Sequence, residues 1–402
     1  MIWEAPMVDN EGVRREQLMI ENGRVVQRGD LGLTPDESWG DDHLLFPGFG
    51  DVHVHLREGQ EYKEDYQTGN NAALSGGVTF CCDMPNNPVP PVDAETLAAK
   101  QKKVPSGDVH IELYAALGPG TRPFGAKRYK GFLAHSTGPL FFSTLDEAEK
   151  VIRDYSGCRI TFHCECPRLL EAASGAATHE EQRPEEAEVE AVRYVLRWVE
   201  QYGIRANVAH VSSIGALSLL QGQKDVTFEV TPHHLFFDTE NRSEFERGEL
   251  LKMNPPLRAP ATREALLEAF RNNKIPFLAT DHAPHTLEEK LGDNPPSGVP
   301  LLDTYGLFVT WLLKKAGVAP EVIYQACCQR PAQFLKLSDR GHLRPGARAD
   351  AVVLDLGTSH KLRASELATK CGWSPFEGVV FPGRVDSVLL GGRFVRRARA
   401  VV

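Results

Sequence analysis

Residues 48–54 read GFGDVHV, and the next residue, His55, adds a second histidine two positions after His53. A short apolar run entered through Pro-Gly is the signature of a buried strand. Seven more runs of this kind follow: VTFCCDM (78–84), VHIELYA (109–115), YKGFLA (129–134), RITFHC (159–164), RANVAHV (205–211), VTFEVT (226–231) and IPFLATD (275–281). Between them lie AETLAAKQKK (94–103), LDEAEKVIRDY (145–155), PEEAEVEAVRYVLRWVEQYG (184–203) and TREALLEAFRNN (262–273), all with helical periodicity. Strand and helix alternating eight times predicts an α/β fold, a (β/α)8 TIM barrel over residues 47–340. Residues 1–46 and 341–402 read as short strands with Gly turns, and are expected to meet as one small β domain.

The whole chain has 402 residues, of which 42% are hydrophobic and 25% charged, enough for a large buried core. Its formal net charge of −9 offers no basic footprint for nucleic acid or an anionic membrane. No apolar run approaches the length of a membrane span, and the first residues are acidic with no secretory h-region. The eight cysteines do not form a disulfide framework in a chain of this length. Free thiols and a cytoplasmic location are expected. Cys164 and Cys166 flank Glu165 just after a histidine, but no second Cys pair stands at zinc-ribbon spacing, so core thiols are the better reading.

Barrel enzymes place their chemistry at the C-terminal ends of the strands. Here the first strand ends in His53 and His55, the fifth in His163, the sixth in His210, and the eighth in Asp281 with His282 and His285 following. Alternation along a strand puts His53 and His55 on one side, where two imidazoles can share a metal ion. The fourth strand carries Lys130. An interior ammonium without a partner is costly. Either it is paired at the rim, or its pKa is depressed and it reacts with carbon dioxide to give a carbamate with two oxygens for two cations.

These residues sit in motifs that resemble the amidohydrolase superfamily and, within it, the dihydroorotases. The stretches are PGFGDVHVHLREGQEYKED (47–65), GGVTFCCDMPNNPVPP (76–91), YKGFLAHSTGPL (129–140), TFHCE (161–165), VAHVSS (208–213), EVTPHHL (229–235), KMNPPLR (252–258), ATDHAPH (279–285) and PSGVPLLDT (296–304). The tail pieces ADAVVLDL and SPFEG are also similar. The resemblance implies two zinc ions per subunit. His53, His55 and Asp281 would hold one, His163 and His210 the other, and carboxylated Lys130 would bridge them together with a hydroxide. Asp281 would be the general base and acid of a reversible hydrolysis of dihydroorotate to N-carbamoyl-aspartate, a step of pyrimidine biosynthesis.

The small-molecule substrate would be recognised by other residues. Arg57 has the fork geometry for a carboxylate, Asn86 and His285 complete the carboxylate site that the resemblance implies, and Asn254 would contact the ring amides. A homo-oligomer, with a dimer favoured, is expected. The sequence departs from the family pattern at Asn87, often Thr, and at Leu301, often Gly. His135 reads as a surface residue, and His233 and His234 as supports. Segment 286–303, rich in Gly and Pro beside Asp281, is a candidate lid. Allantoinase or dihydropyrimidinase chemistry is the alternative, since those enzymes would share the metal site. An inactive scaffold homologue would have eroded ligands, and here every ligand position is filled.

Overall fold

The computed structural model describes residues 1–136, 138 and 140–397. Thr137 and Pro139 of the Lys130 motif, and the end of the strand-like tail at 398–402, lie outside the described residues. The eight barrel strands are Phe49–Val54, Val78–Asp83, His110–Leu113 continued by Ala115–Leu117, Tyr129–Phe132, Arg159–His163, Arg205–Val208, Val226–Val230 and Phe277–Leu278. They follow the eight apolar runs in order. Neighbours pair in parallel throughout. The third strand breaks at Tyr114, whose amide bonds to Asp83, before the pairing resumes on the fourth. A parallel bridge from Val54 to His282 closes the ring between the first and eighth strands.

The first strand carries a bulge. Between Asp51 and Val54 it spends three steps where its partner spends two, from Cys81 to Asp83. Adjacent residues on a regular strand face opposite ways, and a bulge re-aims them. As a result Val52 packs with Phe80, Cys82 and Tyr114 in the barrel core, while His53 beside it also reaches the cavity at the mouth.

Helices cover the outside where their periodicity placed them. Glu185–Tyr202 is the longest, with Ala187, Ala191, Val192, Val195 and Trp198 buried on one stripe and Gly203 ending it in the left-handed conformation. At the opposite mouth, helix Arg330–Leu335 plugs the barrel: Phe334 and Leu335 join the core cluster of Phe80 and Phe277.

Both ends of the chain build one sheet. Strand His43–Pro47 lies antiparallel to Ala351–Asp355 and parallel to Ile2–Asp9, so N-terminal and C-terminal strands interleave around a separate core of Trp3, Met7, Leu18, Leu45 and Val353. The stretch between the tail strands Ala351–Asp355 and Arg384–Leu390 leaves this sheet and lies on the barrel instead. Trp373 Nε1 donates to the His285 carbonyl (2.8 Å), and Phe376 stacks on Phe237 and Phe308. No described helix is long and apolar enough to cross a membrane.

Candidate active site

At the C-terminal mouth, His53, His55, His163, His210 and Asp281 converge on a cavity of about 20 Å³, whose other walls include Phe132, Ser136, Asn254, Ser297 and Gly298. His53 Nε2 and His55 Nε2 both lie 3.1 Å from Asp281 Oδ1. His163 Nδ1 lies 3.0 Å from His210 Nε2. Donor atoms of His53, His210 and Asp281 fall within 4.8 Å of one another. Three of the histidines are held from behind: His53 Nδ1 by Glu229, His55 Nδ1 by Asn86 Oδ1 (2.7 Å) and His163 Nε2 by Glu165 Oε2 (2.6 Å). Arg183 in turn grips Glu165. Fixing one ring nitrogen with a carboxylate or amide leaves the other lone pair aimed inward, as in metal sites. Glu229 is itself anchored by Asn207 Nδ2 (3.0 Å).

Charge in the site follows from burial and from these partners. Burial alone would lower the pKa of His53, but Asp281 and Glu229 on either side outweigh it and raise it to about 9. The pocket between the two carboxylates is therefore strongly cation-attracting. Burial pushes His55 down to about 4 and holds His163 and His210 low as well. Burial would raise Asp281, yet the neighbouring histidines keep its carboxylate ionised.

Lys130 is fully buried, and its Nζ has no hydrogen-bond partner. The ammonium faces the Phe132 ring at 5.0 Å from the centroid, and desolvation lowers its pKa to about 8. Lys130 is not a rim lysine with a paired head group. A buried amine beside five inward-facing ligand atoms is suited to becoming an anion that shares cations with them. These donors and this orphaned amine fit a metal centre.

Arg57 and His285 are brought together, Nη2 to Nε2 at 3.1 Å, but neither lines the small cavity directly. His285 stands behind Gly298, where a Cβ would meet the Ala283 carbonyl at 2.7 Å and His285 Cδ2 at 3.3 Å. Asn86 sits on His55. Asn254 is on the cavity wall, donating to Ser136 Oγ (3.2 Å) and accepting from Ser297 (3.0 Å). Segment 286–303 is tied down: it holds the short helix Leu287–Leu291, and Lys290 Nζ donates to the carbonyls of Lys252, Pro296 and Gly298 at 3.0–3.1 Å. Leu301 donates its amide to His282 Nδ1. His234 bonds Thr231 and Pro255, while His135 is exposed. All eight cysteines are unpaired. Glu229, Glu165 and Lys63 are functional neighbours that sequence reading passed over. All three lie inside the quoted motifs, but only Glu165 stands close to a ligand histidine in sequence, two residues after His163.

A closed parallel barrel with imidazoles, a carboxylate and a buried lysine at its C-terminal mouth defines a barrel hydrolase. The amidohydrolase family profile matches residues 44–395, and the chain belongs to that family. It is 31% identical over 395 residues to the dihydroorotase of Pyrococcus furiosus, covering 95% of this chain and 89% of that protein. It is 33% identical to the dihydroorotase of Methanothermobacter thermautotrophicus, covering 94% and 90%. Among solved structures, the L-hydantoinase (dihydropyrimidinase) of Arthrobacter aurescens superposes with a TM-score of 0.89, at 24% identity and with 98% and 96% of the two chains covered, which shows the shared fold.

Proposed function

We propose that this hydrolase is a dihydroorotase, opening and closing the six-membered ring between dihydroorotate and N-carbamoyl-aspartate. The observation that carries the choice of substrate is Arg57. Its guanidinium is buried, and among the described residues no carboxylate lies within ion-pair distance of it; Nε donates to the Pro284 carbonyl at 3.0 Å. A buried cation without a counter-ion beside an active site calls for an anion from the substrate. Dihydroorotate brings one, its ring carboxylate; hydantoin, allantoin and dihydrouracil do not.

His53, His55 and Asp281 would hold one zinc ion and His163 and His210 a second, with a carbamate on Lys130 shared between them. Bound there, two such ions supply a nucleophile at neutral pH and polarise the amide carbonyl. The chain does the rest. Asp281, ionised, takes the proton of the attacking water and carries it to the ring nitrogen as the C–N bond breaks. In the reverse direction the same carboxylate takes the proton from the ureido nitrogen. Arg57 and His285 hold the carboxylate, and Asn254 is placed to meet the ring amide.

The test is turnover by the zinc-loaded protein of dihydroorotate and N-carbamoyl-aspartate, compared with dihydrouracil, hydantoin and allantoin. Turnover of the first pair is expected. Activity confined to the uncharged rings would replace this reading with that of the hydantoinase-like neighbours.

A further inference from the structure

We propose that Lys63 is a positioning residue that sets the tautomer of His285, so that Nε2–H is offered to the carboxylate of an anionic ring substrate. The inference rests on the dihydroorotase reading above. His285 is buried between two cationic donors: Arg57 Nη2 at 3.1 Å from Nε2 and Lys63 Nζ at 3.1 Å from Nδ1. A neutral imidazole has one accepting nitrogen and one N–H. It cannot accept from both. Burial, with Arg57, Lys63, Lys290 and His55 around it, keeps the ring from protonating.

The conflict resolves when a carboxylate enters. Arg57 then has an anion to donate to, and a second donor is useful only if Nε2 carries the proton. Nδ1 must then accept, and Lys63 is placed to donate to it. The ammonium has three protons and serves Glu289 Oε1 at 2.9 Å as well. Glu289 is also the competitor: its Oε2 lies 3.6 Å from Nδ1. With Lys63 gone, Nδ1–H would turn to Glu289, and the Nε2 lone pair would face the substrate carboxylate. Lys63 thus makes His285 a donor, and with it makes the pocket selective for an anion.

Orotate, a flat carboxylated ring, and uracil, its uncharged counterpart, separate this role from a merely structural one. Their dissociation constants would be measured by calorimetry on the zinc-loaded protein from pH 6 to 8.5. For Lys63→Met we expect about tenfold weaker orotate binding throughout this pH range. Uracil binding should not change. Glu289→Gln breaks the ion pair to Lys63 but leaves the Lys63–His285 contact, and should bind orotate within about twofold of the unmodified protein. Equal orotate affinity in Lys63→Met at every pH, or parallel loss of orotate and uracil, overturns the inference. Long-range proton–nitrogen spectra of the unmodified protein with orotate read the tautomer without any substitution: an Nδ1–H form of His285 also overturns it. An unmodified protein that neither binds orotate nor turns over dihydroorotate sinks the functional reading and this inference with it.

Discussion

Lys130 is the residue at which stability and chemistry conflict. An amine enclosed with no acceptor loses the hydration of its charged form, a penalty of several kcal/mol. Conversion to an anion shared with cations offsets that cost. Lys130→Ala should therefore fold, yet hold less than half the zinc and lose at least about 100-fold in turnover. Metal analysis and assay check this, and added propionate, a free carboxylate of suitable size, should restore part of both. Glu229 acts one step further out. Glu229→Gln keeps the shape but weakens the hold on His53 Nδ1, and zinc affinity should fall by about 10–100-fold in a competition titration with a chelator. The inward ligands were legible in the sequence because histidines at strand ends are conspicuous. Glu229 was not: it meets His53 across 176 positions of chain, and a glutamate inside VTFEVT looks like any solvated strand residue. Arg57, His210 and Asp281 share a backbone feature that composition does not reveal, with φ of 58°, 39° and 49°. Each holds a left-handed conformation that costs on the order of 1 kcal/mol, and each lies where the chain turns out of a barrel strand.

Among the elements, the strands were readable because each buried run is apolar and bounded by turn residues, and the helix Glu185–Tyr202 because its stripe is regular. What could not be read was strand irregularity. The bulge in Phe49–Val54 and the break at Tyr114 depend on how neighbouring strands are staggered, and neither leaves a mark in hydrophobic periodicity. The segment 286–303 is a further case. Its Gly and Pro content made it a candidate lid, and the hydrogen-bonded centre that Lys290 builds from three carbonyls next to Ser297 and Gly298 was not legible there. Lys290→Met should leave those acceptors unsatisfied, costing about 2–3 kcal/mol in urea unfolding. The KM for dihydroorotate should rise more than kcat falls, because the wall carrying Asn254 and Ser297 loosens while the histidines stay in place. Equal loss in both would assign the damage to the metal centre instead.

In the whole molecule the two barrel mouths divide their work. The C-terminal mouth carries the strained and buried ionisable groups of the site, and the other end is closed by an ion pair. Arg128, 2% exposed, donates through Nη1 to Glu112 Oε2 at 2.7 Å and through Nη2 to the Leu335 carbonyl at 3.0 Å, fastening the plugging helix. Burial would raise the pKa of Glu112, but hydrogen bonds from His110 and Arg128 outweigh it and hold it at about 2. Its folded pKa lies below its ordinary 4.5, so this contribution is complete above about pH 4.5 and is lost as pH falls through about 2. Glu112→Gln should therefore destabilise at pH 7 by about 3 kcal/mol, with the gap to the unmodified protein closing as pH falls through that window. Chemical unfolding at pH 7 and pH 3 checks it.

The interleaved terminal sheet has a consequence in time. Strand His43–Pro47 leaves the ribosome early, but its partner Ala351–Asp355 is made some 300 residues later. At synthesis rates of about 5–20 residues per second, that strand waits roughly 15–60 s with one edge open. The barrel emerges in that interval, so the nascent chain must shield a sheet edge while its largest unit assembles.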